Sequence, residues 1–328
     1  DPDFQREVTW DIPVAEGYRH ATCDASSKSG KKALAEAIHD FRPEALLVYG
    51  WNFPGHLAMI RNFHGSIPIW FRGDSHLLDP MPIWKRIMRQ AWLTWVYRYI
   101  DLAFTVGSAN EAYFKWCGLK PNQMVRAPHA VDSVFFEKDN SNRRNEALRW
   151  RSALGIEPTA PVVLFAGKLE PKKQPDFLIK AWHDLNEPKS HILIVGSGPE
   201  EQDLQRKWAH VPSVHFLGFQ NQQKMPVVYR VADVFCLPSA GPGETWGLAI
   251  NEALASGTPC IVSDRAGCAH DMSLLSQHVQ VASSTDQEQW TQILKRIFKC
   301  APPESIKTPR QFSHDTMINE INRQLYDE

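Results

Sequence analysis

The amino-acid sequence predicts an α/β protein made of two doubly wound parallel sheets. Three observations lead there. Short apolar runs alternate with longer amphipathic ones, and strand–helix alternation implies parallel strands. Polar or glycine-containing loops follow the strand candidates, at the edge where open parallel sheets hold ligands. A polar stretch, 138–151, separates two such series.

In the first series, 45–49, 67–71 and 102–106 read as strands, and 31–41, 83–100 and 109–117 as helices. Ser108-Ala-Asn-Glu111 has the spacing of a capping box. In the second series the strands are 162–166, 191–195, 214–217, 234–237 and 260–263, and the helices 176–185, 200–208, 225–232 and 248–255. Pro199, after Gly196-Ser-Gly198, suits a first helical position. The stretch 138–151 reads as a surface connector, with a boundary near residue 155. A terminal helix at 312–326 follows a connector containing Pro302-Pro303 and Pro309. The expected domains are 1–155, 156–308 and a last segment, 309–328, that crosses back to the first.

Composition narrows the function. The chain has 328 residues and a net charge of -1, so no basic balance points to nucleic acid. No apolar run is long enough to suggest a membrane span. The six cysteines form no C-x-x-C pair, which argues against zinc and for reduced thiols in the cytoplasm. Asp1-Pro-Asp3 has the spacing of a metal-binding pair but carries a rigid proline, and no metal site is expected. The twelve tryptophans read first as core and second as carbohydrate or interface surface.

The most informative stretch is Leu237–Pro259. Small residues precede Glu244, then Leu248–Ala255 reads as a helix ending at Gly257, with Glu252 on its second or third turn. A helix start offers unpaired N–H groups and partial positive charge to a phosphate. A carboxylate on either side of that phosphate can accept hydrogen bonds from hydroxyls. Ribose, diphosphate and sugar in a nucleotide sugar have this layout. The plainer readings are a helix cap for Glu244 and an exposed helix residue for Glu252.

Taken in order, the motifs resemble retaining glycosyltransferases of the GT-B fold, in particular family 4. Gly167-Lys-Leu-x-x-x-Lys173 looks like the family's first strand–loop motif, and Val195-Gly-Ser-Gly-Pro-Glu200 its second. Val214–Phe219 with Tyr229–Asp233 is similar to the region around the nucleobase. Glu244 and Glu252 match the two-glutamate motif, and Ser263-Asp264 with Gly267 the next strand end. Pro128-His-Ala-Val-Asp132 resembles a Pro-Asn-Gly-Val-Asp segment, with His129-Ala130 departing from it. The resemblance implies two Rossmann-like domains facing each other across a cleft. The N-terminal one is expected to be incomplete, because 1–18 resembles a later part of that domain and no strand with a glycine-rich turn precedes Lys31.

The resemblance also assigns roles. Lys168 and Lys173 would carry positive charge to the leaving phosphate in place of a metal; the alternative is two solvated lysines. Glu244 would bind the transferred sugar and Glu252 the ribose. Gly167, Gly198 and Phe219 would line the nucleotide, and Thr245, Trp246, Gly247 and Leu248 would offer backbone N–H groups. Asp74 and His76 would act from the first domain, His76 being equally readable as structural. Arg72 would approach acceptor or phosphate. The implied partners are a nucleotide-sugar donor and a glycan, lipid-linked or small-molecule acceptor, with no cofactor. Epimerisation of the nucleotide sugar, or binding without turnover, are the other readings.

Stretch 83–100 has two readings. Lys85, Arg86, Arg89 and Arg98 alternate with Trp84, Trp92, Trp95, Tyr97 and Tyr99. It is either a helix on the first sheet with a basic outer face, or a peripheral contact with an anionic membrane, at the inner face of the membrane for a cytoplasmic enzyme.

Overall fold

The apolar runs become parallel strands in two sheets. The computed structural model describes residues 16–138, 141–300, 306 and 308–326. Asp1-Pro-Asp3, most of the stretch 1–18 and Pro302-Pro303 lie outside the described residues. The chain divides into two compact units.

The first unit takes in 16–129 and 315–326. It runs α1 (Lys28–Phe41), β1 (Leu46–Tyr49), α2 (Pro54–Phe63), β2 (Ile69–Arg72), α3 (Ile83–Tyr97), β3 (Leu102–Thr105), α4 (Ser108–Trp116) and β4 (Met124–Arg126). The strands lie in the order β1-β2-β3-β4. Alternation along β2 sends Phe71 to one face and Trp70 to the other. Phe71 packs with Ile60, Leu93, Tyr97 and Phe114, while Trp70 packs with Phe104 and Ala127. The cap of α4 falls one residue before the Ser108 of the expected capping box. The cap of α4 is Gly107, without a side-chain bond, and Ser108 opens the helix itself. Asn110 satisfies this turn instead, accepting from the Val106 N–H at 3.1 Å and donating to the Ser75 carbonyl at 2.9 Å.

The second unit includes 130–138 and 141–300. It runs α5 (Ser133–Glu137), α6 (Ser141–Ala153), β5 (Val162–Ala166), α7 (Pro175–His183), β6 (His191–Val195), α8 (Glu201–Trp208), β7 (Val214–Gly218), α9 (Met225–Val231), β8 (Val234–Leu237), α10 (Leu248–Ala255), β9 (Cys260–Ser263), α11 (Ala269–Leu275), β10 (Val279–Ala282) and α12 (Gln287–Lys299). The sheet order is β10-β9-β8-β5-β6-β7. All five residues of β5 are buried, as a central parallel strand requires. Its core gathers Phe165, Ile194, Ile261, Trp182 and Trp290. The last helix, α13 (His314–Tyr326), lays Met317 and Ile321 against the Trp70–Phe104 face of the first sheet.

Two sequence readings change here. The stretch 138–151 is mostly helix α6, not a surface connector. It packs on α9 and ends in a buried arginine. Arg151 donates to the carbonyls of Val231 at 2.8 Å, Pro158 at 3.1 Å and Ala160 at 3.2 Å, and pairs with Asp233 at 2.9 Å. This anchoring assigns α6 to the second unit, so the division falls at 129/130 rather than near 155. Pro199 also stands before its helix, since α8 begins at Glu201 with Glu200 as its cap.

The loops after β5 and β6 touch backbone to backbone. Gly167 N–H donates to Val195 O and Leu169 N–H to Ser197 O, both at 3.0 Å. A Cβ on Gly196 would lie 1.9 Å from the Gly167 carbonyl oxygen, and its φ is +136°. Gly196→Ala is therefore expected to cost at least about 2 kcal/mol of stability. Urea unfolding of the variant measures this; an unchanged midpoint would mean the two loops separate easily.

Candidate donor site in the second unit

The strand order reverses at β5, whose neighbours are β8 on one side and β6 on the other. At such a switch point the connections leave in opposite directions and open a crevice beyond the strand ends. The loops after β5 and β8 carry most of the residues singled out in the sequence. They are tied where Ala240 N–H donates to Lys172 O at 2.9 Å.

Lys173 and Glu244 meet there. Lys173 Nζ donates to Glu244 Oε2 at 2.5 Å, and Ser239 Oγ donates to the same oxygen at 2.6 Å. Glu244 is buried and is not a helix cap: α10 is capped by Gly247, and no side chain closes its N-terminus. The open first turn of α10 thus begins four residues after a buried, ion-paired carboxylate. Gly247 has a φ of +98°, and a Cβ there would lie 2.8 Å from Leu237 Cδ2, so the turn into α10 demands glycine. Lys168 leaves β5 half-buried. Lys172 is exposed and pairs with Glu170 at 3.2 Å.

The segment between Glu244 and the helix is fixed through its carbonyls. Gly267 N–H donates to Glu244 O at 3.1 Å and Cys268 N–H to Trp246 O at 3.0 Å. The Trp246 side chain is core: its Nε1 donates to Asn251 Oδ1 at 3.0 Å, and its ring centroid lies 5.4 Å from that of Phe312. Trp246 can therefore offer a ligand only its backbone. Thr245 is half-buried and Leu248 exposed.

Glu252 is not the exposed helix residue of the plainer reading. Its Oε1 accepts from Gln222 Nε2 at 3.0 Å and its Oε2 from the Tyr229 hydroxyl at 2.8 Å. Tyr229 is fully buried and stacks edge-on against Phe235. Burial pushes the Glu252 pKa above the ordinary range, against the pull of the Gln222 and Tyr229 bonds. Gln222, Tyr229 and Ser239 were missed as supports. Their only signal was position: Tyr229 within the nucleobase motif, Ser239 directly after β8.

Other candidates have structural partners. Gly198 approaches the Leu169 backbone so closely that a Cβ would stand 2.5 Å from its oxygen. Phe219 follows β7 half-buried. Asp74 and His76 belong to the first unit. Asp74 Oδ2 lies 3.7 Å from His129 Nε2, and the buried His76 accepts the Leu78 N–H through Nδ1 at 3.2 Å. Arg72 is a tie within the first unit, not a ligand group. It donates to Ala127 O at 2.6 Å and Pro128 O at 3.2 Å, and reaches Met317 Sδ at 3.6 Å. Among the described residues no group of three or more His, Cys, Asp or Glu side chains could hold a metal ion.

The two parallel sheets and their order define a GT-B glycosyltransferase fold. HepE from Anabaena, solved in complex with UDP, shares it with a TM-score of 0.72 and 18% identity, over 92% of this chain and 82% of its own. The chain belongs to the glycosyl transferases group 1 family, whose model matches residues 147–314. It is 28% identical to sulfoquinovosyl transferase SQD2 of Arabidopsis thaliana over 212 residues, 64% of this chain and 38% of that protein. It is 38% identical to D-inositol 3-phosphate glycosyltransferase of Nocardia farcinica over 130 residues, 36% of this chain and 28% of that protein. The matches thus span less than two fifths of the length of either relative.

The raised Glu252 pKa has a sign that can be measured. The folded state holds this proton more tightly than the unfolded chain. The stability difference is therefore absent below the ordinary carboxylate value of about 4.3 and complete above the raised one, the ionised form being the costly one. Relative to wild type, Glu252→Gln should gain stability as pH rises through that window. Urea unfolding across the acid range would show the gain; a difference that does not change with pH would mean Glu252 titrates normally.

Proposed function

We propose that the chain transfers a sugar from a nucleotide-diphosphate sugar to a glycan, lipid-linked or small-molecule acceptor, with retention and without a metal. The observation that carries this reading is the Lys173–Glu244–Ser239 network beside the uncapped start of α10, with the braced Glu252 further along the same helix. The diphosphate would lie at the helix start, using the backbone of Thr245, Trp246, Gly247 and Leu248. Glu252 would hold the ribose diol, and Gly167, Gly198 and Phe219 would border the nucleoside. Gln222 and Tyr229 would position Glu252.

The bond between the anomeric carbon and the phosphate oxygen breaks while the acceptor oxygen bonds the same carbon from the same face. The acceptor proton passes to the departing phosphate. Charge grows on that phosphate, and Lys168 and Lys173 would meet it. For Lys173 this means turning from Glu244, freeing a carboxylate oxygen for sugar hydroxyls. Asp74 and His76, beyond β2, are proposed to act on the reacting sugar or acceptor. UDP and UDP-glucose, with which HepE has been solved, are the first ligands to try.

Calorimetry with UDP is the direct test of the ribose assignment. Glu252→Ala should weaken binding by about 1.5–3 kcal/mol, the range for charge-assisted hydrogen bonds. An unaltered affinity would remove Glu252 from the site. Glu244→Ala should affect intact donor more than free nucleotide.

Turnover with a donor and acceptor panel, read by product analysis, tests the chemistry. Lys173→Ala should lower turnover by about 100-fold, as for loss of one electrostatic stabiliser, and chelator should leave wild-type turnover intact. Loss of activity in chelator with rescue by magnesium or manganese would refute the metal-free reading.

A further inference from the structure

The outer face of α3 is apolar, not basic. Its buried residues are Leu93, Val96 and Tyr97, all in its second half. Every residue from 83 to 88 is exposed, so the first turns stand clear of the unit's core. Ile83, Trp84, Ile87, Met88, Trp92 and Trp95 are all exposed, from 78% for Ile83 to 39% for Trp95. At 100° per residue they fall within one half of the helix surface. A surface helix normally turns that half polar, and an exposed apolar stripe of this length marks an interaction site.

The charges around the stripe are of one sign. Helix α3 contains Lys85, Arg86 and Arg89 and no acidic residue. Two cations lie over stripe tryptophans: Arg61 at 4.2 Å from the Trp95 centroid and Lys85 at 5.3 Å from that of Trp84. Arg98 is exposed beside Tyr99. Indole rings with cations on them suit the boundary between acyl chains and anionic headgroups. A second copy docking face to face would set these cations against one another. Trp92 also stacks on Trp51, just past β1, at 4.9 Å, so the stripe continues to the carboxyl edge of the first sheet.

We propose that α3 is a membrane-surface anchor, inserting its Trp84–Met88–Trp95 face into a bilayer that presents anionic headgroups to Lys85, Arg61 and Arg98. The proposal is independent of the donor site. It is tested by co-sedimenting the full chain with vesicles of phosphatidylcholine alone, or with about one third phosphatidylglycerol. Binding is expected only with the anionic lipid, and to weaken as salt rises. The double substitutions Trp84→Ser with Met88→Ser, and Lys85→Glu with Arg98→Glu, should each lower binding by about tenfold or more. All four positions are exposed, so melting temperature and UDP affinity should stay as in wild type. Should either variant unfold, quenching of wild-type tryptophan by brominated lipid provides the second readout and is expected with anionic vesicles only. Three results would overturn the anchor: no binding of wild type to anionic vesicles, equal binding by both folded variants, or a wild-type dimer in light scattering that the Trp84 and Met88 change dissolves.

Discussion

Two neighbouring parallel strands that part company, β5 and β8, fix everything at the candidate donor site. Parallel pairing brings both carboxyl ends to one edge, and the reversal of strand order keeps their loops from being covered by one crossover. Into that gap the chain sends Lys173 from one side and Ser239 with Glu244 from the other. The neighbouring β5–β6 loops are drawn together until only glycine fits at 196 and 198. The site's geometry is thus inherited from sheet order, and its precision from backbone contacts that admit no side chain.

Within this frame the electrostatics are balanced internally. A buried carboxylate without a cation would be costly, and a buried pair gains little net stability over apolar residues of the same size. The Lys173–Glu244 pair is better understood as two side chains that hold one another in place where the loops meet than as a source of stability. Glu252 follows a different logic. Two neutral donors, Gln222 and Tyr229, aim its oxygens without neutralising them. Its burial is therefore only partly compensated, and its pKa rises where that of an ion-paired acid would fall.

Much of this was legible from residue order. The runs 162–166, 191–195, 234–237 and 260–263 and the helix 248–255 coincide with the observed elements, because buried parallel strands are continuous apolar runs with sharp ends. Three-residue β4 was too short to stand out, and β10, Val-Gln-Val-Ala, carries too little apolar length. Helix α6 was hidden by its polarity; one buried arginine, not an apolar face, holds its end in place. The two glutamates could be paired from spacing and helix phase. Their supports could not, since Gln222 and Tyr229 reach Glu252 from α9 and the loop before it, and only the folded sheet makes them neighbours. Arg72 shows the converse, a charged residue at a strand end whose bonds all go to its own unit.

The first sheet has one face finished by the last helix, where Met317 and Ile321 cover Trp70, Phe104 and Ala127. A ribosome makes the sheet before the second unit and the cover after it. While the intervening unit is being synthesised, two large aromatic rings on that sheet lack the side chains that will shield them. Domains that emerge first usually fold first, but this one stays unfinished until the second unit has been made. Its window of exposure to chaperones, and to other nascent chains, is therefore set by the translation time of its neighbour and not by its own folding rate.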